Sequence, residues 1–202
     1  MKKLFLASAF SGVAEIFGKI AGDVSGKSVT FIPTASSVEK VVFYVKSARK
    51  AFEKLGMNVD ELDITTASDA EIYDKISKND FIYVSGGNTF FLLQEMRRRG
   101  VDRIIAEQVS GGKMYIGESA GAMIASPDVE YAAAMDNTKK APLLEGYNAL
   151  GLVDFYTVPH YNSAPFKKAA QKIIDNCGDS LKLQPITNAQ AVFVCGDEVR
   201  VY

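Results

Sequence analysis

Gly117-Glu118-Ser119-Ala120-Gly121 is a complete G-x-S-x-G, entered by the apolar run Met114-Tyr115-Ile116 and followed by small residues from Ala120 to Ala125. That order predicts a strand, a sharp turn and a helix, the setting in which a serine hydroxyl is presented as a nucleophile. Glycine and alanine around Ser119 leave room where larger side chains would meet the helix. The turn also puts Ser119 at a helix N-terminus, where backbone N–H groups can hold an anion. The same pattern also fits a strand–helix turn whose serine is only an N-cap.

A nucleophilic serine needs a base, most often histidine. The chain contains one histidine, His160, which follows Phe155-Tyr156-Thr157-Val158-Pro159. It is expected at the carboxyl end of that strand, on the sheet edge that carries Ser119. A carboxylate should orient the imidazole. Asp128, Glu130, Asp136, Glu145 and Asp154 are the candidates, and spacing alone does not choose among the loop acids. Asp154 opens the strand that ends at His160, so it is expected at the opposite end, roughly 20 Å away. Two backbone donors should face the developing oxyanion. The N–H of Ala120 is one. Ser85-Gly86-Gly87-Asn88 offers the other, because glycine lets the backbone approach a substrate closely. Asn88 there also reads as a helix N-cap.

The elements that must position these residues follow from alternation of short apolar runs with amphipathic stretches. Strands are expected at Leu4–Ala7, Val29–Ile32, Val59–Ile64, Phe81–Val84, up to the elbow, and at Val153–Val158. Ser36-Ser37-Val38-Glu39 and Ser68-Asp69-Ala70-Glu71 each read as a capping box. The first should open a helix with its stripe on Val38, Val41, Val42, Val45, Ala48, Phe52 and Leu55, ended by Gly56. The second should open a helix to about Lys78. Further helices are expected at Thr89–Arg99, Asp102–Ser110 and Phe166–Asn176, and a β-hairpin around Gly196-Asp197. The region Pro127–Gly151 is irregular, as an active-site loop would be. This βαβα rhythm predicts an α/β fold with a mostly parallel sheet and helices on both faces, in one domain spanning residues 1–202. Sites in such folds form at strand carboxyl ends.

Composition narrows the function classes. Forty-eight per cent of residues are hydrophobic and 23% charged, the balance of a soluble globular chain. A net charge of −1 leaves no electrostatic footprint for nucleic acid. Arg97-Arg98-Arg99 and Lys139-Lys140 read as solvated faces. Cys177 and Cys195 make neither a disulfide framework nor a metal set. The apolar start, Leu4 to Ala7, stops at Ser11-Gly12 and is too short for a signal sequence. No run approaches a membrane span. Cytoplasmic location without cofactor or metal is the expectation, and oligomeric state is left open. Gly22-Asp23-Val24-Ser25-Gly26-Lys27-Ser28 imitates a P-loop but is one residue short and precedes a strand, so it reads as a polar turn.

Taken together, Ser85-Gly86-Gly87-Asn88-Thr89-Phe90, Tyr115 to Ala122 and Pro159-His160 resemble the dipeptidase E and cyanophycinase family of serine peptidases, through roughly residues 3 to 165. The resemblance implies a three-layer α/β/α sandwich like that of class I glutamine amidotransferases. It implies a Ser–His–acid triad of Ser119, His160 and Asp136, with Gly87 and Ala120 as the oxyanion hole. It also implies a small peptide substrate, an N-terminal aspartyl dipeptide in the branch resembled. The chain departs from that branch at Glu118, which replaces a bulky aromatic, and after His160, where Tyr161-Asn162-Ser163-Ala164-Pro165 lacks an arginine-bearing insertion. Lys167 and Lys168 could supply positive charge but read better as surface helix lysines. Glu118 and Asn88 are carried as candidate substrate-binding residues; Glu118 could bind a substrate's amino group or disfavour an oxyanion. Two other functions fit the same residues. One is an α/β-hydrolase esterase, which shares the Ser, Asp, His order but wants an HGGG-type motif absent here. The other is a non-catalytic descendant that binds a ligand.

Overall fold

The computed structural model describes all 202 residues. Nine strands and seven helices follow in the order β1 (Lys3–Ala7), α1 (Phe10–Ala21), β2 (Ser28–Ile32), α2 (Phe43–Lys54), β3 (Asn58–Glu61), α3 (Asp69–Lys78), β4 (Phe81–Val84), α4 (Thr89–Arg98), α5 (Val101–Ser110), β5 (Met114–Glu118), α6 (Ala120–Met123), β6 (Tyr156–Val158), α7 (Lys167–Cys177), β7 (Leu183–Pro185), β8 (Ala191–Cys195) and β9 (Glu198–Val201). Seven strands form one sheet in the order β3-β2-β4-β5-β1-β8-β9. Neighbours from β3 to β1 are parallel, while β8 runs antiparallel to both β1 and β9.

Apolar side chains on alternate strand positions serve two cores. Phe5, Phe31, Tyr83 and Ile116 point to the face covered by α1 and α2, where Phe10, Phe17 and Phe52 pack. Leu4, Leu6, Ile82, Val84 and Tyr115 point to the other face, under α3, α4 and α5. Strands buried on both faces read as continuous apolar runs, which is why they stand out in the sequence. The mixed α/β fold with a mostly parallel central sheet is therefore as expected.

Two local expectations differ, and helix α1 has no counterpart among the expected elements. Helix α1 has apolar positions at Phe10, Val13 and Phe17, yet Ala9 gives it no side-chain cap and glycines interrupt it at Gly12 and Gly18. Its cap comes from elsewhere: the Phe10 N–H donates to the Glu118 carboxylate at 3.0 Å. A helix capped from another element carries no start signal of its own. The first capping box does not form. Thr34–Val38 is a 3-10 turn, and the Ser36 hydroxyl donates to Pro33 O at 2.8 Å. Helix α2 starts only at Phe43, leaving Val41 exposed and burying Ala48 and Phe52 fully. At the second, the serine cap forms, with the Glu71 N–H donating to Ser68 Oγ at 3.2 Å, while the Glu71 carboxylate pairs with Lys75 at 3.1 Å. Finally, β6 does not join the main sheet; it pairs in parallel with β7, a strand the sequence pattern did not reveal. The expected C-terminal hairpin is β8–β9.

Of the arginine run, only Arg98 is a solvated residue as expected. Arg97 donates to the carbonyls of Glu145, Gly146 and Asn148, and Arg99 to those of Ile64 and Ala67. The Arg97 bonds pin the irregular region Pro127–Gly151 against α4, and the Arg99 bonds hold the segment between β3 and α3. Gly22–Ser28 is the expected turn, entering β2.

Candidate active site

The G-x-S-x-G is built by close backbone approach. A Cβ on Gly117 would lie 2.4 Å from Gly121 O, and one on Gly121 would lie 2.1 Å from Val84 O. Only glycine lets α6 sit this near to β5 and β4. Ser119 joins β5 to α6 at φ 49° and ψ −107°, a strained conformation for a non-glycine residue. Its N–H donates to Ala7 O at 2.9 Å, which ties the turn to β1.

Ser119 Oγ lies 3.0 Å from Nε2 of His160. His160 also has positive φ, 61°, and its ring stacks on Phe166 with centroids 4.9 Å apart. Burial lowers its pKa from the ordinary 6.5, favouring the neutral imidazole, with a hydrogen bond to Asn188 acting the other way. The other ring nitrogen, Nδ1, is 2.8 Å from Asn188 Oδ1. With that oxygen as acceptor, Nδ1 carries the proton and Nε2 presents its lone pair to Ser119.

The structure brings Ser119 and His160 together but puts Asn188, not Asp136, behind the imidazole. Asp136 instead accepts from the Thr89 N–H at 2.9 Å and the Thr89 hydroxyl at 2.6 Å, at the start of α4. A carboxylate is favoured there by the unpaired amides and dipole of the helix. Burial nevertheless pushes its pKa up to about 6. The other acids are occupied elsewhere: Asp128 accepts from the Tyr156 hydroxyl at 2.8 Å, and Asp154 pairs with Lys182 at 2.9 Å. Glu130 and Glu145 are exposed. Asn188 could not be found from the sequence by chemistry-based reasoning, because an amide carries no charge signal and the loop before β8 has no motif.

Gly86 abuts Ser119: a Cβ on it would come within 3.2 Å of Ser119 Cβ. Gly87 has φ 138° and packs on the 3-10 turn, where a Cβ would lie 2.1 Å from Ala35 O. Its N–H donates to no group in the chain. Ala120 opens α6, so its N–H has no carbonyl one turn earlier to bond. Ala120 thus follows Ser119 directly, and Gly87 follows the glycine that abuts it.

Glu118 and Asn88 do not fit the substrate-binding expectation. Strand alternation turns Glu118 away from Ser119, towards α1; it is only 3% exposed. It accepts from the Phe10 N–H and from the Tyr83 hydroxyl. Burial pushes its pKa up to about 7. Asn88 caps α4, accepting from the Phe91 N–H at 3.0 Å and donating to Asn137 O at 3.2 Å. Lys167 and Lys168 are exposed, as expected. No group of three or more His, Cys, Asp or Glu side chains comes together as a metal site. No helix is long and apolar enough to cross a membrane.

Comparison with known proteins bears on this arrangement. The chain is 58% identical to the uncharacterized peptidase PM1590 of Pasteurella multocida over 96% of its own length and 94% of that protein. It is 34% identical to Peptidase E of Salmonella arizonae over 72% of its length and 60% of that protein. A crystal structure from Listeria monocytogenes EGD-e, 54% identical, superposes with a TM-score of 0.96 over 100% of this chain and 98% of that one. A peptidase from an acI-B1 Actinobacterium, at 23% identity and a TM-score of 0.75, shares the fold. The model of Peptidase family S51 matches residues 4–202. The chain belongs to that family of serine-type peptidases.

Proposed function

We propose that the protein hydrolyses small peptides, with Ser119 as nucleophile, His160 as general base and Asn188 as the group that orients the imidazole. The observation that carries this reading is the 3.0 Å approach of Ser119 Oγ to Nε2 of a histidine whose other nitrogen is held by Asn188. Neutral His160 takes the Ser119 proton as Oγ attacks the scissile carbonyl. The oxyanion is received by the N–H groups of Gly87 and Ala120. The imidazolium then protonates the leaving amine, and water releases the acyl group by the same route. Asn188 holds the ring in the useful tautomer but adds no negative charge to stabilise the imidazolium.

A peptide substrate is favoured by the likeness to Peptidase E, and dipeptides by the resemblance of the motifs to the dipeptidase E branch. Aspartyl preference finds no support in the residues after His160, because Lys167 and Lys168 point to solvent. A cytoplasmic setting suits the two unpaired cysteines, Cys177 and Cys195. Ser119→Ala is expected to reduce hydrolysis of a dipeptide library at least about 10³-fold. Retention of full turnover in that variant would sink the reading. Labelling of the wild type at Ser119 by a fluorophosphonate separates an active peptidase from an inert descendant, and turnover of acyl esters without peptides would indicate an esterase.

A further inference from the structure

Ser119, His160 and Asn188 come from three segments far apart in the chain, and all three rest on the turn that leaves β1. Ala7 O accepts from the Ser119 N–H at 2.9 Å. Ser8, the next residue, is 1% exposed. Its hydroxyl accepts from the His160 N–H at 3.0 Å and donates to Ile186 O at 3.0 Å. Gly12, in the first turn of α1, lies so near Asn188 that a Cβ there would be 2.5 Å from Asn188 O. The end of β1 is placed for this by its register, since Ala7 pairs with Glu118 on one side and Ala191 on the other.

We infer that Ser8 is a positioning residue for the Ser119–His160–Asn188 array: one hydroxyl clamps the His160 backbone to the chain two residues before Asn188, holding the imidazole between Ser119 Oγ and Asn188 Oδ1. The inference rests on the peptidase reading for its catalytic consequence. Ser8 reaches no reacting atom itself; its single proton is used on Ile186 O and its oxygen faces the His160 N–H. Its importance follows from the backbone it holds. His160 sits at φ 61°, a conformation that a non-glycine residue keeps only where its surroundings impose it. The hydrogen bond from its N–H is one such restraint. Ile186 O also accepts from the Tyr161 N–H at 3.0 Å, so loss of the hydroxyl orphans the His160 N–H alone, and the loop that carries the ring relaxes to recover it.

The chain has a single histidine, so isotope-labelled imidazole resonances report His160 alone. Wild type is expected to show one tautomer, protonated at Nδ1, titrating below 6.5. In Ser8→Ala the titration should rise towards the ordinary value and the tautomers should mix. Peptide turnover should fall about 10- to 100-fold in kcat with KM changed less than about threefold, because small displacements of a catalytic group are costly. Ser8→Thr, which keeps the hydroxyl, should restore most of both. If Ser8→Ala fails to fold, Ser8→Cys is read in the same way. Gly12→Ala should disturb the imidazole from the Asn188 side. A Ser8→Ala protein with lower melting temperature but unchanged His160 titration and kcat would overturn the inference, since that is all a merely structural serine predicts. If wild type neither cleaves peptides nor takes the fluorophosphonate, the peptidase reading fails. The His160 titration still decides whether Ser8 holds the ring.

Discussion

His160 has an amide, not a carboxylate, behind it, and this sets its acid–base behaviour. Burial disfavours the imidazolium, and the Asn188 amide compensates with a hydrogen bond but no charge. A base whose pKa is lowered stays neutral further into the acid range. The acid limb of kcat/KM, which reports the free enzyme, is therefore expected below pH 6.5. Asn188→Asp places an anion against Nδ1 and favours the charged ring, so the limb should move up by about one unit or more. Asp136→Asn should leave it in place. A pH–rate profile of the three proteins checks both statements. Sign matters for folding too: a lowered histidine pKa contributes stability above 6.5 that is lost as pH falls.

At the level of elements, Ser119 is held by contacts between backbones. Gly121 touches Val84 O so closely that any side chain must push α6 off β4. Gly121→Ala is expected to cost about 2–3 kcal/mol, with a melting temperature lower by several degrees in calorimetry. Helix α4 depends on Asp136 and Asn88 at its start, where Thr89 and Phe91 amides would otherwise be unpaired. This also explains how an acid near the site in sequence came to do different work. A helix N-terminus favours a carboxylate, and Thr89 offers two donors. The capping boxes teach a similar lesson. Ser68 caps because nothing else competes for it, whereas Ser36 lies in a turn that Gly87 and Asn88 pack against.

Across the whole molecule, Glu118 links β5 to α1 through the Phe10 amide and to β4 through Tyr83. Its pKa is raised from 4.5 to about 7 by burial. Between those values the folded protein keeps a proton that the unfolded chain has released, so stability falls as pH rises through that window. Glu118→Gln removes this contribution. Relative to wild type it should gain about 1–3 kcal/mol at pH 8 compared with pH 5, read from denaturant unfolding at each pH. Asp136 acts with the same sign and remains in the variant, so the slope is reduced but not abolished.

The elbow, the glycine turn and the lone histidine are legible in the sequence because each is a matter of local sterics or of chemical type. Gly117 and Gly121 are required wherever a serine turns sharply between strand and helix, and a chain with one histidine offers one imidazole. The apolar strands are legible because both faces of the sheet are covered. The tertiary structure alone decided which group stands behind His160, which way Glu118 points, how α1 starts and that β6 leaves the main sheet. Each of these depends on partners brought from distant segments: Asn188 from beyond β7, Glu118 across from Phe10, β7 beside β6. A hydrogen bond between residues 28 or 108 positions apart leaves no periodicity and no spacing to read. Only the packed chain states it.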